Sequence, residues 1–462
     1  MFILQFKKLI GLLKNNKLDD GYVFAMELLR KYPHKPQIYT TLAKICFKKN
    51  ELNQCKKFLL ALFSLPDWYK EKIVKEILEI TNWKMLCSNQ YYCREPKFSA
   101  DGEKIVFVCV SRDTNGDGVI DNFDCGGIYI TDRDTKEIHC IVEDCYYNLS
   151  PIFSPDGRYI CYFSAREDTN GDGMIDNKDM FGLYIFDLIN GEEKLLVKNI
   201  YSPKHPSFSN EGERIVFSCW SSPNAKSGIY EVNLKTFTLK TLVKEDYESV
   251  SPSYSKDNRY LLYSSFRSLN ETSTSGGPGY NSGIYIKDLF TEDEVEVASP
   301  KYINTFPVFS NDGKKVAFLS KRRDTNKDGI INSLDNDGIY IFDIETKKEY
   351  CVHSDRYYNK FINFTCDDKY LVFLSNWHRY NKEFNRDYFE YKGIYMCKIN
   401  GKDLRQVVSE KFYGCSSPNV SPKRYEVVYT SFRKNTLRGL YLAYLSNLPT
   451  KEEVVEIVKQ NI

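Results

Sequence analysis

Three stretches of the chain carry oxygen-bearing side chains at a spacing that chemistry can use. They read DTNGDGVIDNFD from Asp113, DTNGDGMIDNKD from Asp168 and DTNKDGIINSLD from Asp324. In each, side-chain oxygens at positions 1, 3 and 5 turn toward one point, because glycine at position 6 permits the sharp bend between them. A backbone carbonyl at position 7 and side-chain oxygens at 9 and 12 complete an oxygen shell for a hard divalent cation. The first loop offers Asp113, Asn115, Asp117, the carbonyl of Val119, Asp121 and Asp124. The second offers Asp168, Asn170, Asp172, the carbonyl of Met174, Asp176 and Asp179. The third offers Asp324, Asn326, Asp328, the carbonyl of Ile330, Asn332 and Asp335. An all-protein cage suits calcium better than magnesium, so up to three calcium ions are expected. Asn332 replaces a carboxylate, which predicts weaker binding in the third loop. Aspartate at position 12 predicts binding through one oxygen, or with a water. Ile120, Ile175 and Ile331 at position 8 are expected to plug into the core. Asp, Asn and Gly also make ordinary turns; three full ligand sets at equivalent places favour the ion.

The elements around these loops repeat. Units begin at Pro96, Pro151, Pro206, Pro252, Pro307, Ile362 and Pro418, and a Gly-(Ile/Leu)-Tyr triplet follows at Gly127, Gly182, Gly228, Gly283, Gly338, Gly393 and Gly439. Period-2 patterning around Asp-Gly turns predicts antiparallel hairpins, and four strands per unit repeated radially predict a propeller. The expected fold is mainly β: a seven-bladed β-propeller of four-stranded antiparallel blades over residues 83–448, preceded by a small all-α domain over 1–82. Residues 83–88 are expected to supply the outermost strand of the last blade. Thr450 and Glu453 form a capping box, which predicts a C-terminal helix over 449–462. A tyrosine stands five residues before each unit start (Tyr91, Tyr146, Tyr201, Tyr247, Tyr302, Tyr357 and Tyr413); these are expected to wedge between blades, with an aromatic ring at a channel mouth as the alternative.

The PxFSxDGxxIxFxS segment and the Gly-Ile-Tyr strand closely resemble TolB-type, WD-repeat-like propeller repeats of bacterial proteins over residues 84–448. The loops resemble EF-hand and dockerin calcium loops. Tyr39, Leu42, Ala43, Cys46, Asn50, Cys55, Leu59 and Pro66 loosely resemble a tetratricopeptide (TPR) repeat. TolB has six blades behind a mixed α/β domain and carries an export signal, so its envelope role does not transfer directly. The propeller resemblance implies a surface for protein contacts, usually without chemistry of its own.

Composition narrows the function classes. The 462 residues carry 64 Lys+Arg against 62 Asp+Glu, a net charge of +2 with no basic run, which argues against nucleic acid. No stretch reaches the roughly 18 apolar residues of a membrane span. The apolar start MFILQFKKLIGLLKNN is interrupted by Lys7 and Lys8 and reads as an amphipathic helix. The 14 cysteines are scattered, several at core-facing positions such as Cys109, Cys161 and Cys219, with no CxxC pair. Reduced thiols suggest a cytoplasmic protein, whereas calcium loops suit the periplasm or cell surface. His139 and His353 are expected in outer strands, and His205 and His378 in loops on the face of the calcium loops. No nucleophile elbow or phosphate-binding glycine loop is present. The expectation is therefore a monomeric, non-enzymatic, calcium-binding interaction or scaffold module with protein partners. The alternative is a propeller enzyme on carbohydrate or peptide, for which the oligogalacturonate lyases are the architectural analogy.

Overall fold

The computed structural model describes residues 18–48, 83–88, 90–223, 225–267, 281–332, 334–376, 393–408, 414–432 and 438–445, with single positions at 5, 9, 58 and 61. The expected helix over 449–462, His378, Tyr413 and the TPR-like positions Asn50, Cys55, Leu59 and Pro66 lie outside the described residues. The chain divides into two compact units, residues 1–84 with 446–462, and residues 85–445.

In the first unit, helices α1 (Leu18–Lys31) and α2 (Pro36–Lys48) are joined by four residues. Asp19 and Asp20 in the first turn of α1, and Arg30 and Lys31 in its last, complement the helix dipole. Ala25 and Leu28 pack on Ile38, Leu42 and Ile45, with Leu9 buried beside them. The Tyr39 hydroxyl donates to the Pro33 carbonyl at 2.8 Å and ties α2 to the link.

The second unit is built from hairpins. Five sheets have four strands and a sixth has seven. In sequence the first of them comprises Tyr92–Phe98, Lys104–Val110, Gly127–Asp132 and Ile138–Val142, ordered as they occur. The seven-stranded sheet contains two such sets sharing one long strand, Glu193–Phe208. Its first half pairs with Phe181–Asp187 and its second with Arg214–Trp220. Trp83–Cys87 lies beside Arg438–Tyr444, on the far side of that strand from Glu426–Phe432 and Cys415–Val420.

Burial follows strand position. Second strands such as Lys104–Val110 and Tyr159–Ala165 are buried along nearly their whole length, on both faces. Consecutive sheets pack face to face there: Val106 and Ile128 of one meet Phe153, Ile160 and Tyr162 of the next. That is why these strands read as continuous apolar runs rather than alternating ones. Fourth strands such as Ile138–Val142 are largely exposed.

Two local rules explain the repeated residues. A Cβ on Gly182 would lie 2.6 Å from the Tyr184 ring and 2.7 Å from Leu195, and one on Gly127 would lie 2.8 Å from the Tyr129 ring. In five of the seven triplets, those of Gly127, Gly182, Gly228, Gly283 and Gly338, the tyrosine folds over its own glycine. In addition, buried asparagines join neighbouring sheets: Asn148 donates to the Gly126 carbonyl at 2.8 Å, Asn304 to Ser282 at 2.7 Å and Asn359 to Asp337 at 2.6 Å.

Candidate metal loops and a cavity among the first strands

The three acidic loops connect the second and third strands of their sheets, and they share one hydrogen-bond skeleton. The position-1 carboxylate accepts the position-6 N–H at 2.8 Å in all three (Asp113 from Gly118, Asp168 from Gly173, Asp324 from Gly329). Position 12 accepts the position-2 N–H at 2.6, 2.7 and 2.6 Å. It also accepts the position-9 N–H at 2.9, 2.9 and 2.8 Å. Asn115 donates to Asp117 at 3.4 Å, Asn170 to Asp172 at 3.3 Å and Asn326 to Asp328 at 2.9 Å, so positions 3 and 5 face each other.

These contacts bear on whether a cation fits. Asp124 is fully buried. Burial alone would raise its pKa, but the N–H groups of Asp121, Thr114 and Asn115 and the Thr114 hydroxyl outweigh it and hold the carboxyl below its usual range. Its Oδ1 accepts three of those bonds and its Oδ2 one. Oδ2 therefore keeps the spare lone pair, which suits binding through a single oxygen. Val119, Met174 and Ile330, whose carbonyls hold position 7, are exposed, and Asp121, Asp176 and Asn332 at position 9 each accept an N–H two residues on. Ile120, Ile175 and Ile331 are half-buried, and Ile175 packs against the core of the seven-stranded sheet.

The loops differ in their cationic neighbours. Lys178 pairs with Asp176 at 3.0 Å and Asp172 at 3.5 Å within the second loop. In the third, buried Lys321 donates to the Asp335 carbonyl and pairs with Asp337 at 3.0 Å; burial lowers its pKa. Val110 and Ala165 occupy the equivalent strand positions beside the other two loops. A cleft of about 740 Å³ separates the first two loops, with Asp113, Asp117 and Asp144 among its lining residues, together with Met174 and Asp176.

A second cavity, of about 620 Å³, is lined by the first strand of every four-strand set. One non-glycine residue in each turns left-handed there: Glu95, Ser150, His205, Ser251, Phe306, Phe361 and Ser417, with φ between 48° and 57°. Pairing shifts register at these points, as between Arg94 and Lys97 or between Thr305 and Val308. Seven bulges thus aim their side chains by the same strained backbone.

His205 stands out among them. Its Nδ1 is buried without a hydrogen-bond partner, and its ring meets Phe306 edge-on at 6.0 Å. Burial, then the charges of Lys204 and Lys97, lower its pKa to about 4. Lys97 is accessible from the cavity yet ringed by protein, and burial holds it below the usual lysine range against the pull of Glu95. The Glu95 carboxylate accepts the Ser150 N–H at 2.5 Å.

This corrects the expectation for His205, which lies in the long strand Glu193–Phe208 and lines the cavity rather than sitting in a loop. The strand runs unbroken through the segment that reads as a turn. The six described tyrosines of the set are not among the residues that line the cavity: Tyr146 and Tyr302 lie under Arg166 and Arg322 at 4.6 and 4.8 Å, and Tyr357 stacks on His353. One signal for the bulges was available in the sequence. Proline follows six of the seven left-handed residues, and proline inside a strand marks an edge or a bulge.

No family model and no curated protein sequence matches the chain. Among solved structures it is similar to an oligogalacturonate lyase from Vibrio parahaemolyticus, at 13% identity over 79% of this chain and 94% of that one, with a TM-score of 0.55. It is also similar to the β-propeller domain of the Trilobed protease from Pyrococcus furiosus, at 14% identity over 78% and 98%, with a TM-score of 0.54. TolB from Acinetobacter baumannii aligns at 19% identity over 66% of this chain and 63% of its own length, and its TM-score of 0.43 is too low to carry weight. At these identities the likeness shows fold alone: the chain is mainly β, of propeller type.

Proposed function

We propose that this protein is a non-enzymatic, calcium-stabilised interaction module: a seven-bladed propeller that binds a protein segment in the cavity among its first strands. The blade count rests on seven four-strand sets, taking the long strand Glu193–Phe208 as shared by two. The observation that carries the binding reading is the cavity wall, which presents proline rings, serine hydroxyls and the Phe306 and Phe361 rings from repeated bulges. Such a mixed surface suits an extended peptide or loop. The helical segment, TPR-like in its residues, offers a second surface for partners. Calcium acts structurally in this reading, because strands and not helices flank the loops. An ion bound only by the folded state adds about 2.7 kcal/mol at a hundredfold excess over its Kd. The first loop is the strongest site, since Lys178 competes in the second and Lys321 lies beside the third. The ion need favours a calcium-rich compartment, the periplasm or cell surface, over the cytoplasm.

Calorimetric titration of calcium into chelator-stripped protein, with melting curves before and after, tests the metal half. Three sites and a higher melting temperature are expected; no binding at millimolar calcium would end it. Photo-cross-linking from Phe361 tests the other half. A cross-linked peptide displaced by Phe306→Ala supports it.

A second reading, an enzyme on acidic carbohydrate or peptide, is favoured by the Glu95, Lys97 and His205 corner of the cavity. Turnover of oligogalacturonate that His205→Ala abolishes would establish it.

A further inference from the structure

Three cysteines from three strands meet in the core of the β unit. Cys87 ends Trp83–Cys87, while Cys93 and Cys109 sit opposite each other in the paired strands Tyr92–Phe98 and Lys104–Val110. All three sulfurs lie within 4.8 Å of one another. Their residues are 3%, 0% and 4% exposed, and all three are free thiols. Metal–sulfur bonds of about 2.3 Å in a trigonal plane place sulfurs about 4 Å apart, so an ion fits with shifts below an ångström.

We infer that Cys87, Cys93 and Cys109 form a three-thiolate site for a soft d10 cation, Cu(I) in preference to Zn(II). Among the described residues no fourth cysteine, histidine or carboxylate joins the group. Three soft sulfurs satisfy Cu(I), whereas zinc prefers four ligands. The surroundings are apolar: Leu86, Phe107, Leu440 and Leu442 belong to the same buried cluster as the three cysteines. Charge is partly met nearby. Arg438, lying over the Tyr92 ring at 4.7 Å, is close enough to Cys93 for their charges to interact. Each sulfur that binds the ion releases a proton, so affinity rises with pH.

The site has a structural meaning. Cys87 belongs to the strand paired with Arg438–Tyr444, at the end of the sheet order, whereas Cys93 and Cys109 belong to the first four-strand set. A bound ion clamps the start of the unit to its end.

Full-length protein, purified with reductant and stripped of metal, is titrated with Cu(I) against a chromophoric Cu(I) chelator, and with Zn(II) against a zinc indicator. One tightly held Cu(I) per chain is expected, weakened at least tenfold by Cys93→Ser and unchanged by Cys161→Ser, a buried cysteine outside the group. X-ray absorption of the loaded wild-type protein guards against a misfolded variant: three sulfurs at about 2.3 Å are expected. Any of four results overturns the proposal: no stoichiometric ion, zinc held more tightly than Cu(I), an oxygen or nitrogen shell, or equal loss in both variants.

Discussion

Arg133 and Glu426, 293 residues apart in the chain, form an ion pair in which each residue is 4% exposed. The guanidinium Nε donates to the carboxylate at 2.7 Å, and a second nitrogen reaches the other oxygen. Arg133 follows the third strand of the first set and Glu426 begins the second strand of the last, so the pair joins the two ends of the β unit. The Phe98 N–H, which donates to Asn419 at 3.0 Å, crosses the same seam. Removing Glu426 takes both of its carboxylate bonds from the buried guanidinium, which keeps an ion pair with the exposed Asp134 at 2.6 Å. Glu426→Gln is expected to lower unfolding free energy by about 3–5 kcal/mol, and Arg133→Met with Glu426→Leu together by clearly less. Urea melts of the three proteins decide it.

Two half-buried histidines, each with one ring nitrogen buried and unpartnered, set a pH dependence. Burial holds both His205 and His353 near a pKa of about 4. In the unfolded chain they titrate near 6.5, so the unfolded state binds more protons between those values. Stability is fully present above about pH 6.5 and falls as pH drops toward 4, by about 1.4 kcal/mol per pH unit for each histidine. His205→Phe and His353→Phe should each flatten that slope relative to wild type. A wild-type slope in both variants would contradict the assignment.

Loop chemistry gives a ranking. Asp113→Ala and Asp168→Ala are each expected to remove one calcium ion from the stoichiometry. Lys178→Ala should tighten the second site by up to about fivefold, since an exposed ion pair is worth no more than about 1 kcal/mol. Calorimetry on single-loop variants reads each change separately, and weaker calcium binding in Lys178→Ala would refute competition by that lysine.

The triplet glycines predict a steric effect. Gly182→Ala pushes a methyl group into the Tyr184 ring and Leu195, at an expected loss of about 1–3 kcal/mol. Tyr184→Leu in the same chain should recover part of it. Thermal melts of single and double variants measure the coupling.

Much of this architecture is legible in the residues, for a physical reason. Neighbouring sheets pack face to face, so the second strands are apolar throughout, and the tyrosine of five triplets crowds its own glycine. The shared turn of the acidic loops is equally plain because the hydrogen bonds that shape it are local. What escapes a linear reading depends on register or on distant chain ends. His205 reads as a loop residue because Tyr201 to Pro206 looks like a turn, whereas the strand continues through it. The seven bulges are marked only indirectly, by the proline that follows six of the left-handed residues, because a strand pattern by itself does not show which residue turns left-handed. Cys87, Cys93 and Cys109 are separated by spacings that match no metal motif, and they meet only because three strands place them together.

The pairing of Trp83–Cys87 with Arg438–Tyr444 also has a consequence in time. The early strand leaves the ribosome roughly 350 residues before its neighbour, a delay of roughly 20–70 s at ordinary synthesis rates. Throughout that interval its backbone groups have no permanent partner, and the assembly behind it grows with one side unfinished. The sheet that holds both strands is therefore completed only after Arg438–Tyr444 has been made. A ribosome stalled before Arg438 would present an open edge to chaperones and to other nascent chains.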